Sequence, residues 1–126
     1  MFSAQETFNQ VYLGLKSQGF QKSRNQDQCA YRGEYGRKCA AGHLIPDEHY
    51  SPILEGGVIV NDLDEISNRH QPAFKVTKLI MALGHDVSLA SKLQNIHDLS
   101  YSPIDMMNRL EKFAKENNLQ IPENND

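Results

Sequence analysis

Apolar residues return every three or four positions in four segments of this chain, and each segment is bracketed by residues that start or stop helices. Nothing else in the sequence restricts the fold so strongly. Ser3-Ala-Gln-Glu6 reads as a capping box, with Ser3 as N-cap and Glu6 reaching back to it. Phe8, Val11, Tyr12 and Leu15 follow on one face, which predicts an amphipathic helix over about 4–18. Gly19 is its left-handed stop, and Phe20 is expected to tuck beneath its end. Pro72 opens a second helix that buries Phe74, Val76, Leu79, Ile80 and Leu83 and stops at Gly84. Asp86 or Ser88 caps a third, carrying Leu89, Leu93 and Ile96 to about His97. Ser102-Pro-Ile-Asp105 is a second capping box, with Pro103 in the first helical position. The helix behind it is expected to bury Ile104, Met107, Leu110 and Phe113 and to end near Asn117-Asn118.

The stretch between the first two helices has no helical period. Residues 21–28 form a polar loop, Cys29–Arg32 a short strand, Gly33–Gly36 a turn, and Arg37–Cys39 the returning strand of a β-hairpin. Ala40, Ala41 and Gly42 suggest close backbone packing in a short helical turn that ends before Pro46. Pro46-Asp-Glu48 starts one or two further turns, limited by Pro52. Glu55-Gly-Gly57 is a turn and Val58–Val60 a third short strand. Leu63 and Ile66 anchor a helical turn or ordered loop through His70. The fold class expected from this pattern is α+β, about four helices packed on a small antiparallel β-hairpin or three-stranded sheet. A mostly α chain with one hairpin is the near alternative. At 126 residues the length suits a single globular domain over 1–119, followed by a polar C-terminal tail over 120–126.

A net charge of −3 makes nucleic acid an unfavourable partner, although Arg32, Arg37 and Lys38 form a local basic patch. No apolar run approaches the roughly 18 residues of a membrane span, and the N-terminus lacks the basic start and apolar middle of a signal peptide. The expected compartment is therefore the cytoplasm, where Cys29 and Cys39 stay reduced.

Three chemistries can be written from the residue types. Cys29, Cys39, His43 and His97 are candidate zinc ligands, and Cys39 and His43 stand at i and i+4. The close first pair of a structural zinc site is missing, however, because nine residues separate the cysteines. No cofactor is therefore assigned, zinc being the one kept in view. Cys39, preceded by Arg37 and Lys38, is a candidate nucleophile, with His97 as base and Asp98 as its neighbouring acid. Adjacent helical side chains diverge, which argues against Asp98 orienting His97. The small residues after Cys39 favour a buried, inert thiol instead. Asp47, Glu48, Glu55, Asp62, Asp64 and Glu65 make an acidic middle without a calcium-loop pattern, and Asp47 and Glu48 read more simply as helix-start acids. Phosphate-loop, dinucleotide and serine-hydrolase motifs are absent. Tyr31, Arg32, Tyr35, Arg37 and Tyr50, with Asp47 and Glu48 beside them, form the candidate contact surface, since Tyr and Arg dominate interface energetics.

The central stretch contains C-x-Y-R-G from Cys29, G-x-x-C-A-x-G-x-L-I-x-D-E-x-Y from Gly36 to Tyr50, L-E-G from Leu54, and L-Q-x-x-H-D from Leu93 to Asp98. In order and spacing this resembles a group of small proteins carried by tailed phages, prophages and other bacterial mobile DNA, over about half the chain. The resemblance implies a setting, the cytoplasm of a bacterial host, and no activity. Small acidic proteins of that setting often bind and block a protein of the host, which by analogy makes an inhibitor or modulator of a host or phage protein the leading expectation. A Cys-His enzyme built on Cys39 and a zinc-stabilised module are the alternatives.

Overall fold

The computed structural model describes residues 1–25, 28–55 and 75–123. Among these residues four α-helices form the framework: α1 (Ala4–Ser17), α2 (Lys75–Ala82), α3 (Val87–Leu99) and α4 (Pro103–Glu116). The start of α1 follows from local chemistry. Ser3 Oγ accepts from the Glu6 amide at 3.1 Å, and Glu6 Oε1 accepts from the Ser3 amide at 2.9 Å, so two otherwise unbonded donors are satisfied. Phe8, Val11, Tyr12 and Leu15 are all buried. At the other end Gly19 and Phe20 both adopt left-handed φ, the Phe20 amide returns to Leu15 O at 2.8 Å, and the Phe20 ring meets Tyr12 edge-on. Asp86, rather than Ser88, caps α3 through Leu89 N at 3.0 Å. Ser102 caps α4 through Asp105 N at 3.1 Å. The expected helix start at Pro72 and Phe74, the turn beyond Glu55, the third strand at Val58–Val60 and the segment from Asn61 to His70 lie outside the described residues.

The inward face of α4 differs from the expected one. Met106, Leu110 and Ala114 are buried, Met107 and Phe113 are partly buried against them, and Ile104 is 69% exposed. Ala114, not an obvious core residue by hydropathy, presents no bulk where the helix meets the core.

The α+β expectation is overturned: among the described residues the architecture is all-α. The β pairing is confined to two residues on each side, Arg24–Asn25 against Gln28–Cys29, plus an isolated Arg32–Lys38 bridge. This is no sheet layer, and a hairpin of Cys29–Arg32 with Arg37–Cys39 does not form. The reason is competition for backbone donors. The amides of Tyr31 and Arg32 donate to the Glu55 carboxylate at 2.9 and 3.1 Å. Lys38 donates its amide to Gln18 Oε1 at 3.0 Å, and its carbonyl accepts from Gln18 Nε2 at 2.7 Å. Side chains thus take the bonds a ladder would need. The chain proceeds instead through four 3₁₀ turns, Glu34–Gly36, Ala41–Leu44, Asp47–His49 and Pro52–Leu54.

The turn Ala41–Leu44 lies against α1 and α3. Ala40 and Ala41 are fully buried, and a Cβ on Gly42 would collide with the Tyr31 carbonyl, so only glycine allows this approach. Gly14, in the middle of α1, leaves room in the same way for the His43 ring. The rest of the bundle closes on polar clasps. Thr7 Oγ1 bonds His85 Nδ1 at 2.7 Å, Phe2 stacks on His85 at 4.3 Å, and the Gln5 amide side chain bonds both backbone groups of Gln120 at 2.8 Å.

Candidate functional site

The motif letters of the central stretch gather at two places. At the first, Glu55 accepts from Tyr31 N and Arg32 N and also from Tyr50 Oη at 2.6 Å. The Arg32 guanidinium lies over the Tyr50 ring, 4.4 Å from its centroid. It donates to Ile45 O at 3.0 Å and pairs with Asp47 at 2.6 Å, and Lys38 approaches the same carboxylate at 3.9 Å. Arg32 Nε is buried without a partner among the described residues. Burial and the bond to Glu55 push the Tyr50 phenol up to about 12. Burial likewise pushes the Tyr31 phenol up. Tyr31, Arg32 and Tyr50 therefore stitch the 3₁₀ turns together. Glu48 is exposed beside Asp47.

At the second place the stretch meets α3. Gln94 Oε1 accepts from Ala41 N at 2.9 Å, while Gln94 Nε2 donates to Asp98 Oδ1 at 2.9 Å. His97 is fully buried. Its Nε2 accepts the Ser23 amide proton at 3.1 Å, which leaves Nδ1 as the protonated nitrogen, bonded to Asp98 Oδ1 at 2.9 Å. Asp98 thus does orient its own neighbour, against the expectation from helical divergence. With both nitrogens engaged, His97 makes no hydrogen bond to Cys39. The Cys39 thiol is free but 1% exposed, and burial pushes it up to about 12. Its sulfur accepts from Gly42 N at 3.4 Å, tying it into the turn. His43 Nε2 bonds Gln18 Oε1 at 3.0 Å, and burial, with Lys38 adding to it, pulls the ring down to about 4. Among the described residues no three metal-capable side chains converge. The Cys29 side chain, and Asp62, Asp64 and Glu65, are outside the described residues.

The other half of the candidate contact surface is laid out differently. Tyr35 stands on a left-handed backbone at φ 62°, is 86% exposed, and carries the Arg37 guanidinium 5.2 Å from its ring centroid. Across a cleft from Arg37 stands Tyr101, 88% exposed, with Arg109 at 5.4 Å from its ring. The cleft encloses about 250 Å³ between Phe20, Lys22 and Arg24 on one side and Tyr101, Ser102 and Pro103 on the other. Sequence reasoning did not single out Lys22, Arg24, Tyr101 or Arg109. One signal was present: Tyr101 precedes the Ser102 cap, where an apolar residue normally folds back on the fourth helical residue. Here that residue, Met106, is fully buried and Tyr101 is not on it.

Comparison of the chain with protein-family models, curated proteins and solved structures finds no match.

Proposed function

We propose that this chain is a phage or mobile-element protein of the bacterial cytoplasm that acts by binding a host or phage protein and modulating it. The setting rests on the motif resemblance. The mode of action rests on one observation, the pair of solvent-standing tyrosines, Tyr35 and Tyr101, each with an arginine over its ring, and a cleft lined by Tyr101 and by Arg37, the arginine on Tyr35. Rigid aromatic rings and planar guanidinium groups are what a partner surface gains most from contacting. The residues proposed for catalysis support the same reading from the other side. A thiol held near 12 gives almost no thiolate at neutral pH, and His97 has no nitrogen left with which to help it. Among the described residues no helix is long and apolar enough to cross a membrane.

The test is capture from a bacterial lysate on the immobilised full chain, beside a Tyr35→Ala/Tyr101→Ala variant. A discrete protein retained by the parent and lost by the variant, with the melting temperature unchanged, is the expected result. Equal retention by both forms would remove the surface from the proposal. Arg32 is unsuitable for this test, since its guanidinium holds Ile45 and Asp47 in place.

A further inference from the structure

We infer that the cleft between the 20–24 segment and the start of α4 binds an acidic, partly apolar segment of the partner protein. The inference rests on the interaction reading above and adds the chemistry of the partner. Among the described residues the cleft lining contains Lys22, Arg24 and Arg37 and no carboxylate. Lys22 Nζ donates to the Asp98 carbonyl at 2.9 Å, an uncharged acceptor that leaves its positive charge in place. The guanidinium groups of Arg24 and Arg37 make no ion pair with any described carboxylate. Asp105, near the start of α4, is held by Arg109 at 2.9 Å and by the Tyr101 amide at 2.8 Å, with Lys22 adding a weaker attraction from the cleft. Three cations thus share one concavity in a chain whose net charge is −3, so the positive charge gathered there is a local feature.

Two features select a protein segment over nucleic acid. A phosphate backbone is held by a track of cations matching its charge spacing, and among the described residues of this net-negative chain the cleft offers three cations rather than such a track. Leu99 and Ile104, 64% and 69% exposed, flank Tyr101 in sequence. These offer contact to leucine or phenylalanine side chains and nothing to phosphates. Carboxylates in the cleft, with apolar side chains beside Tyr101, satisfy both features.

The probe is a fluorescently labelled peptide, Glu-Glu-Leu-Phe-Glu-Glu, titrated with the full chain and read by anisotropy. Saturable binding that weakens with added salt is expected, with a loss of more than about tenfold in the Arg24→Glu/Arg37→Glu variant, because like charges would then face the peptide. Neither guanidinium is bonded to a carboxylate among the described residues, so the variant should melt with the parent, and Arg24→Gln provides a milder second variant with a smaller loss. Absence of binding, or binding unaffected by both variants, would overturn the inference. Tighter binding of labelled single-stranded DNA, lost in the same variants, would overturn it in favour of a nucleic-acid cleft. Lysate capture that survives charge reversal but not loss of the tyrosines would remove the acidic segment while leaving the interaction reading in place.

Discussion

Glu55 shows how much one side chain can decide. Its carboxylate receives two amides and a phenol, and those bonds bring Tyr31, Arg32 and Tyr50 to the same point. Glu55→Gln keeps the shape but turns an NH2 group toward donors, so a bonded acceptor is lost and a donor faces a donor. The expected cost is about 1.5–3 kcal/mol, the range for hydrogen bonds to a charged group, read as a lower urea midpoint. An unchanged midpoint would show that the carboxylate does not hold the turns. Cys39 is a second residue-scale case. With its thiol near 12 and 1% exposed, it should resist a soluble thiol reagent in the native protein at pH 7, followed peptide by peptide by mass spectrometry to separate it from Cys29. Cys39→Ser should lower stability by about 1–2 kcal/mol, since a hydroxyl replaces a soft group in an apolar site. Rapid labelling of Cys39 with no stability change would return it to the list of candidate nucleophiles.

At the scale of elements, α1 and the turn Ala41–Leu44 are matched surfaces, and Gly14 is where they touch most closely. In an open helix Gly→Ala is stabilising by about 1 kcal/mol. Here the new methyl would meet the His43 ring near its base, which the ring can escape only by leaving Gln18. Gly14→Ala should therefore destabilise, by about 1–3 kcal/mol as for other overpacked sites. Combining it with His43→Ala should restore part of the loss. A stabilised single variant, or strict additivity of the two changes, would contradict the contact. Gln18 acts on the same junction from the end of α1. It bonds Lys38 as a neighbouring strand would, and so replaces the hairpin with a junction between helix and loop.

For the molecule as a whole, buried histidines set an acid limit. His43 is held near 4 against an ordinary 6.5, and burial lowers His85 as well. Between those two values the unfolded chain binds protons that the folded chain does not. Stability contributed by His43 is therefore present above about pH 6.5 and is lost as the pH falls toward about 4, and His85 acts in the same direction. His43 is only partly buried, so solvent screening limits its share to about 1–2 kcal/mol. Urea midpoints measured from pH 7.5 down to 4.5 should fall, and His43→Gln should flatten the fall. A midpoint independent of pH over that range would mean that the rings titrate freely in the native state.

The ends of α1, α3 and α4 were legible in the chain because a cap is made by residues three apart, as Ser3 with Glu6, Asp86 with Leu89 and Ser102 with Asp105. The buried face of α1 was legible for the same reason, its period being a property of the helix alone. The close packing implied by Ala40, Ala41 and Gly42 was legible as well, because small residues permit little else. The hairpin was misread because its donors go to Glu55 and Gln18, more than twenty positions away from some of them, and local β propensity carries no record of such a competitor. The bond between His97 and Asp98 depends on the Ser23 amide occupying the other ring nitrogen. The cleft joins residues 20–24, Arg37 and Tyr101–Pro103, which have no spacing in common. Local hydrogen bonding and periodicity thus determined the helices and their ends, while the sheet that did not form, the burial of the thiol and the placement of three cations around one cleft were decided by tertiary contact, where distant groups compete for the same donors and share the same desolvated space.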